Sequence, residues 1–138
     1  MRADSAETRY DFAFDRRYRP LLGLLRIRPD TSYVLVTDRA LRVRFGPWEV
    51  VTSLDNVAEV QVTGPYAAIK AIGARMSLAD RGLTFGSSTR QGVCVRFRQP
   101  VGGGEPVGLL RHPALTVTVT DCPGLAAHLR QHLRTGRE

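Results

Sequence analysis

At 138 residues the chain is long enough for one domain with its own apolar core, held without disulfides or a metal. No apolar run approaches the ~20 residues of a membrane-spanning helix, and the opening MRADSAETRY lacks the apolar core of a secretion signal, so a cytoplasmic protein is expected. The formal charge is +7, and of the 20 basic residues all but Lys70 are arginine, which admits an anionic partner but also fits the codon usage of a GC-rich genome.

Residues 1 to 8 are polar and read as a flexible terminus. RYDFAFD places Tyr10, Phe12 and Phe14 on one face and Arg9, Asp11 and Asp15 on the other, the alternation of a half-buried strand. In RRYRPLLGLLRIRPD, Leu21, Leu22, Leu24, Leu25 and Ile27 are bracketed by Arg16, Arg17, Arg19, Arg26 and Arg28. Pro20, Gly23 and Pro29 exclude one long helix, so a short helical turn and a connection are expected. These five arginines are the candidate anionic-surface site, weighed against the spread of arginine over the whole chain.

From Ser32 to Val62 the chain reads as a four-stranded meander. A turn at Asp38-Arg39 sets Val34 opposite Val43, Val36 opposite Leu41, Leu35 opposite Arg42 and Tyr33 opposite Arg44. A turn at Gly46-Pro47, where glycine supplies a positive φ, sets Phe45 opposite Trp48, Val43 opposite Val50 and Arg44 opposite Glu49. A third turn at Leu54-Asp55-Asn56 sets Val50 opposite Val60 and Trp48 opposite Val62. One buried stripe results, Val34-Val43-Val50-Val60, with Trp48 expected inside beside Phe45 and Val62.

Beyond the meander, Tyr66, Ile69, Ile72 and Met76 have helical spacing, so a short helical insertion is expected near 65–76. GLTFG and GVCVRFR read as strands. The Gly- and Pro-rich stretch 99–113 reads as a loop, and ALTVTVT as the last strand. A helix begins at Asp121 or Cys122, with Pro123 in its first turn and an apolar stripe of Leu125, Ala126, Leu129 and Leu133. The remainder, 135–138, reads as a tail.

No arrangement of catalytic residues emerges, and neither a cofactor nor a metal is expected. His128 and His132 have a spacing that can grip a metal, yet a solvated helix flank accounts for them better. Cys94 reads as a semi-buried strand residue, and spacing alone leaves a bridge from Cys94 to Cys122 open. Ser77, Asp80 and Arg81 form a polar cluster best read as turn-forming. Gly102-Gly103-Gly104 lacks the following Lys-Ser/Thr of a phosphate loop. Nucleic acid is not expected, since the meander register turns its aromatics inward, away from the arginines. If ALTVTVT lies at a sheet edge, Thr116, Thr118 and Val119 become a candidate dimer edge, because threonine suits a pleated sheet and nothing in the strand guards its edge.

The hairpin YVLVTDRALRV, the stretch RFGPWEVVTSLDNVAEVQVTG with Asn56 just before a strand, and the helix DCPGLAAHLRQHL resemble bacterial pleckstrin-homology-like (PH-like) domains. FGPW, VTGPY, SLADRGLTF and GVCVRF are similar to an uncharacterised actinobacterial group of them, over residues 9–134. The resemblance implies a mainly β, small antiparallel barrel of about seven to eight strands, capped by a C-terminal helix. Its motifs are structural and assign no activity; the leading expectation is a non-enzymatic binding or interaction module whose ligand is a protein partner or a second copy, or else an anionic membrane surface. A small-molecule-binding or enzymatic barrel with a pocket near 65–81 is the alternative.

Overall fold

The computed structural model describes residues 7–65, 72–76, 82–102 and 111–136, and is mainly β. β1 (Thr8–Asp11), β2 (Ser32–Val36), β3 (Ala40–Phe45) and β4 (Trp48–Ser53) form one sheet in that order. β5 (Val57–Thr63), β6 (Gly73–Met76), β7 (Leu83–Gly86), β8 (Gly92–Val101) and β9 (His112–Val117) form the other, in the order β5-β8-β9-β7-β6. Between β1 and β2 lies a short helix, α1 (Arg19–Leu24), and the chain closes with α2 (Cys122–Gly136).

The two hairpins of the first sheet take the expected register. Val34 faces Val43, Leu35 faces Arg42 and Val36 faces Leu41; Val43 faces Val50, Arg44 faces Glu49 and Phe45 faces Trp48. Inward residues Val34, Val36, Leu41, Val43, Phe45 and Val50 are buried, while Arg42, Arg44, Glu49 and Val51 are exposed. Gly46 has φ +60° and could not be another residue cheaply, since a Cβ there would come within 2.7 Å of the Arg26 carbonyl oxygen.

The third turn does something else. Leu54–Asn56 is a 3-10 turn, and it carries the chain out of the first sheet, so β5 pairs with β8 and not with β4. The expected Val50–Val60 and Trp48–Val62 pairs are therefore absent from these strands. Asn56 explains the corner: its amide donates to the Gln99 carbonyl (3.0 Å) and its oxygen accepts from the Gln99 N–H (2.8 Å). A side chain thus supplies the two bonds to β8 that a ladder residue would have made. Trp48 is only partly buried at the rim of the core. The aromatic centre is Phe45, whose ring lies 4.9 Å from that of Phe12 and 5.2 Å from that of Phe85, tying the two sheets together.

Three further expectations are corrected. Residues 73–76 are strand and not helix, because they find ladder partners in β7; residues 66–71 lie outside the description. The described residues hold nine strands, and β7 runs parallel to β9, so the second sheet is mixed. ALTVTVT is no edge: β9 is flanked by β8 and β7, Thr118 is buried, and Val119 bridges Phe12. That bridge, with Ala13 N–H donating to Thr118 (2.8 Å) and Thr120 N–H to Asp11 (2.8 Å), joins the sheets at one corner.

α2 lies along β5 with Leu125, Ala126 and Leu129 buried and Leu133 partly so. Asp121 is its cap, its carboxylate accepting from the Gly124 N–H at 3.0 Å. Arg130 donates to the Val60 carbonyl (3.0 Å), which occupies an acceptor on the outer side of β5. No helix among the described residues is long and apolar enough to cross a membrane.

Candidate functional site

The segment between β1 and β2 departs from the rule that organises the sheets. Residues 16–18 form a 3-10 turn that leads into α1, with Pro20 at its start. α1 ends in a Schellman arrangement: Ile27 N–H donates to the Leu22 carbonyl (2.9 Å) and Arg26 N–H to the Gly23 carbonyl (3.0 Å). Leu22 and Ile27 are both fully buried, supplying the apolar contact this motif favours. The other three leucines point away from the core, with Leu21 54 %, Leu24 83 % and Leu25 44 % exposed.

All five sequence-predicted arginines, Arg16, Arg17, Arg19, Arg26 and Arg28, are exposed around this helix. None of them joins an ion pair among the described residues, whereas Arg42 pairs with Glu49 and Arg96 with Glu59 on the sheets. Arg26 sits at φ +65°, the left-handed position that usually goes to glycine. A charged side chain is thus held on the surface at a conformational cost of about 1–2 kcal/mol. Strain of this kind clusters at functional sites.

Two clefts lie at the ends of α1. The second, about 270 Å³, is bounded by Arg26, Arg28, Thr31, Arg44 and the Gly46-Pro47 turn. The first, about 620 Å³, lies between residues 13–18 and the turn 88–90, with Arg16, Arg17 and Arg90 at its walls. Its floor is a polar network that spans some 74 residues of sequence. Asp15 accepts from the Ser88 hydroxyl (3.0 Å) and from the Thr89 N–H (3.1 Å) and hydroxyl (3.4 Å). Buried Ser87 donates its hydroxyl to the Ala13 carbonyl (2.6 Å) and its N–H to Thr118 Oγ1 (2.9 Å). Behind it, Gly64 (φ +119°) lets β5 pass so close to the turn that a Cβ would meet the Arg90 carbonyl at 2.7 Å.

The remaining candidates disperse. His128 Nδ1 lies 2.9 Å from the Tyr10 hydroxyl and His132 Nε2 3.3 Å from Asp55 Oδ1, so the two rings serve different neighbours. Burial, with Asp121 nearby as a second cause, pushes the Tyr10 phenol up from its ordinary value. The Cys122 thiol is pushed up chiefly by burial as well. Both cysteines are free thiols. Thr116 lies inside a sheet, Thr118 is buried just past the end of β9, Val119 bridges Phe12 at the corner, and Ser77, Asp80 and Arg81 lie outside the described residues. Sequence reasoning missed Asp15, Ser88, Thr89 and Arg90 as a unit; its only signal was a polar turn, SSTRQ, with no hint of what it touches. No known family model matches the chain, and no curated protein or solved structure is significantly similar to it.

Proposed function

We propose that the chain is a non-enzymatic, PH-like binding module that docks on an anionic membrane surface through α1. The observation that carries this reading is the outward set of Leu21, Leu24 and Leu25, flanked in the chain by five exposed arginines that join no ion pair among the described residues. Exposed leucines alone are unremarkable, but a contiguous apolar set bordered by one sign of charge fits the boundary between acyl chains and acidic headgroups. From Asp15 to Asp30 the segment holds five arginines against two aspartates, a net of +3. Each basic residue near an acidic surface contributes about 1 kcal/mol at moderate salt, so charge and leucine insertion together suffice for reversible binding. Two packed sheets with a C-terminal helix along one of them support the PH-like part of the reading.

Self-association through a free β9 edge loses its basis, since both sides of β9 are occupied; a protein partner, or pairing of two copies through α2, is the second reading. The small-molecule alternative near 65–81 falls mostly on residues outside the description, and neither cleft at α1 includes any of that segment. Sedimentation with vesicles tests the membrane reading. The expected result is binding to vesicles containing acidic lipid at low salt, weakening steadily as salt rises, with little binding to neutral vesicles. Equal and negligible sedimentation with both overturns it.

A further inference from the structure

The cleft beside Arg90 is lined by residues other than the three leucines, and its chemistry is different. Arg16, Arg17 and Arg90 bring three positive charges, and Asp15 removes one, leaving a net of +2. Asp15 itself is committed to the floor by its bonds to Ser88 and Thr89, so it is held in place and does not swing onto the arginines. Ser88 is buried and its oxygen also accepts from the Arg90 N–H (3.3 Å), which fixes the root of the third arginine. A net charge of +2 from planar guanidinium groups matches a phosphomonoester, which carries about −1.5 to −2 at neutral pH, better than a singly charged diester or carboxylate.

Size narrows the ligand further. A volume of about 620 Å³ lies within the range of small-molecule sites and exceeds what a bare phosphate fills. Two aromatic residues, Phe14 and Tyr18, stand in the wall, and the Arg17 guanidinium lies 5.9 Å from the centre of the Tyr18 ring. Such a wall suits a planar organic group lying beside the phosphate. We infer that this cleft binds a small soluble phosphomonoester whose organic part bears a planar ring, of the nucleoside monophosphate class, independently of the membrane-docking leucines.

Calorimetric titration of the full chain with adenosine 5′-monophosphate, adenosine, cyclic adenosine monophosphate and inorganic phosphate tests this. The expected result is saturable binding of the monophosphate, at least tenfold weaker binding of the cyclic diester and of inorganic phosphate, and none of adenosine. Affinity should fall below about pH 6, where the phosphate takes up its second proton. Arg90→Gln, at an exposed side chain, should weaken the monophosphate at least tenfold, and Arg16→Gln should do the same from the other wall. Leu24→Asp should leave it unchanged while removing vesicle binding, so the two sites fail separately. Absence of saturable binding at millimolar monophosphate overturns the inference. So does equal binding of monophosphate and cyclic diester, or indifference to both arginine substitutions in variants with the parent circular dichroism. Binding of phosphatidic acid vesicles in an Arg90-dependent way, without binding of the soluble monophosphate, contradicts it too and assigns the cleft to a lipid headgroup.

Discussion

β2–β4 and the α1 segment are built from the same materials and use them in opposite ways. Both interleave arginine with aliphatic residues. In the hairpins the strand period sends every aliphatic of one parity inward, and the outward Arg42 meets Glu49 across the ladder. In α1 only Leu22 and Ile27 go inward, three leucines go out, and the arginines stay out of ion pairs among the described residues. Where local pattern and burial agree, the residues are explained by the fold. Where they disagree, the fold leaves the residues unexplained, and the proposed docking accounts for them.

The largest separation between the two regions should appear on truncating each. Phe45→Ala removes a fully buried ring stacked on Phe85 and tilted against Phe12, and should cost about 3–5 kcal/mol by denaturant unfolding. Leu24→Asp should change stability by under ~0.5 kcal/mol while lowering vesicle affinity more than tenfold. A large stability loss from the second variant would place Leu24 in the core and erase the comparison.

Asp15 lies on the boundary between the regions. Asp15→Ala should cost about 2 kcal/mol, since three hydrogen bonds to one carboxylate are lost and buried Ser88 loses its acceptor. The loss should be concentrated in the 87–90 turn, seen as faster amide exchange there than in β2–β4.

Arg26→Gly sharpens the comparison in the opposite sense. Relief of the left-handed strain should leave stability unchanged or raise it by about 0.5–1 kcal/mol, while vesicle affinity drops by several-fold through the lost charge. A residue kept for the fold would show the reverse.

The smallest effect is on pH. The raised Cys122 and Tyr10 values mean that the folded chain holds these protons more tightly than the unfolded chain. The contribution of these two groups to stability should therefore be flat below the ordinary thiol value of 9.0 and be lost as pH rises through the range from there to the raised values. Cys122→Ser should remove the thiol share of that decline.

Legibility followed distance along the chain. The two hairpins were readable because their pairs are local and their turns carry the needed residues, Gly46 among them. The corner at Leu54–Asn56 was not, because a third hairpin and a sheet change share the same turn residues, and what favours the second is bonding to β8, Asn56 with Gln99 and Arg98 with the Asp55 carbonyl. The helical spacing that runs through Ile72 to Met76 was overridden at Gly73–Met76 by ladder pairing with β7, and the candidate edge at β9 disappeared under a parallel partner. The meander register places Trp48 inside opposite Val62, yet it ends at the rim because β5 leaves for the other sheet. At the site, the arginines were visible as letters, but which leucines face out depends on the Schellman turn at Arg26. The Asp15 network depends on partners more than seventy residues away.

The proposed contact of α1 with lipid can be tested most directly by an indole placed there. In a Trp48→Phe background, Leu24→Trp puts the only tryptophan at the most exposed leucine position among the described residues. Its emission should be water-like in solution and with neutral vesicles, and shift to the blue with acidic vesicles as the ring enters the interface. An unshifted, water-like emission from protein that has demonstrably bound the acidic vesicles would contradict docking through α1.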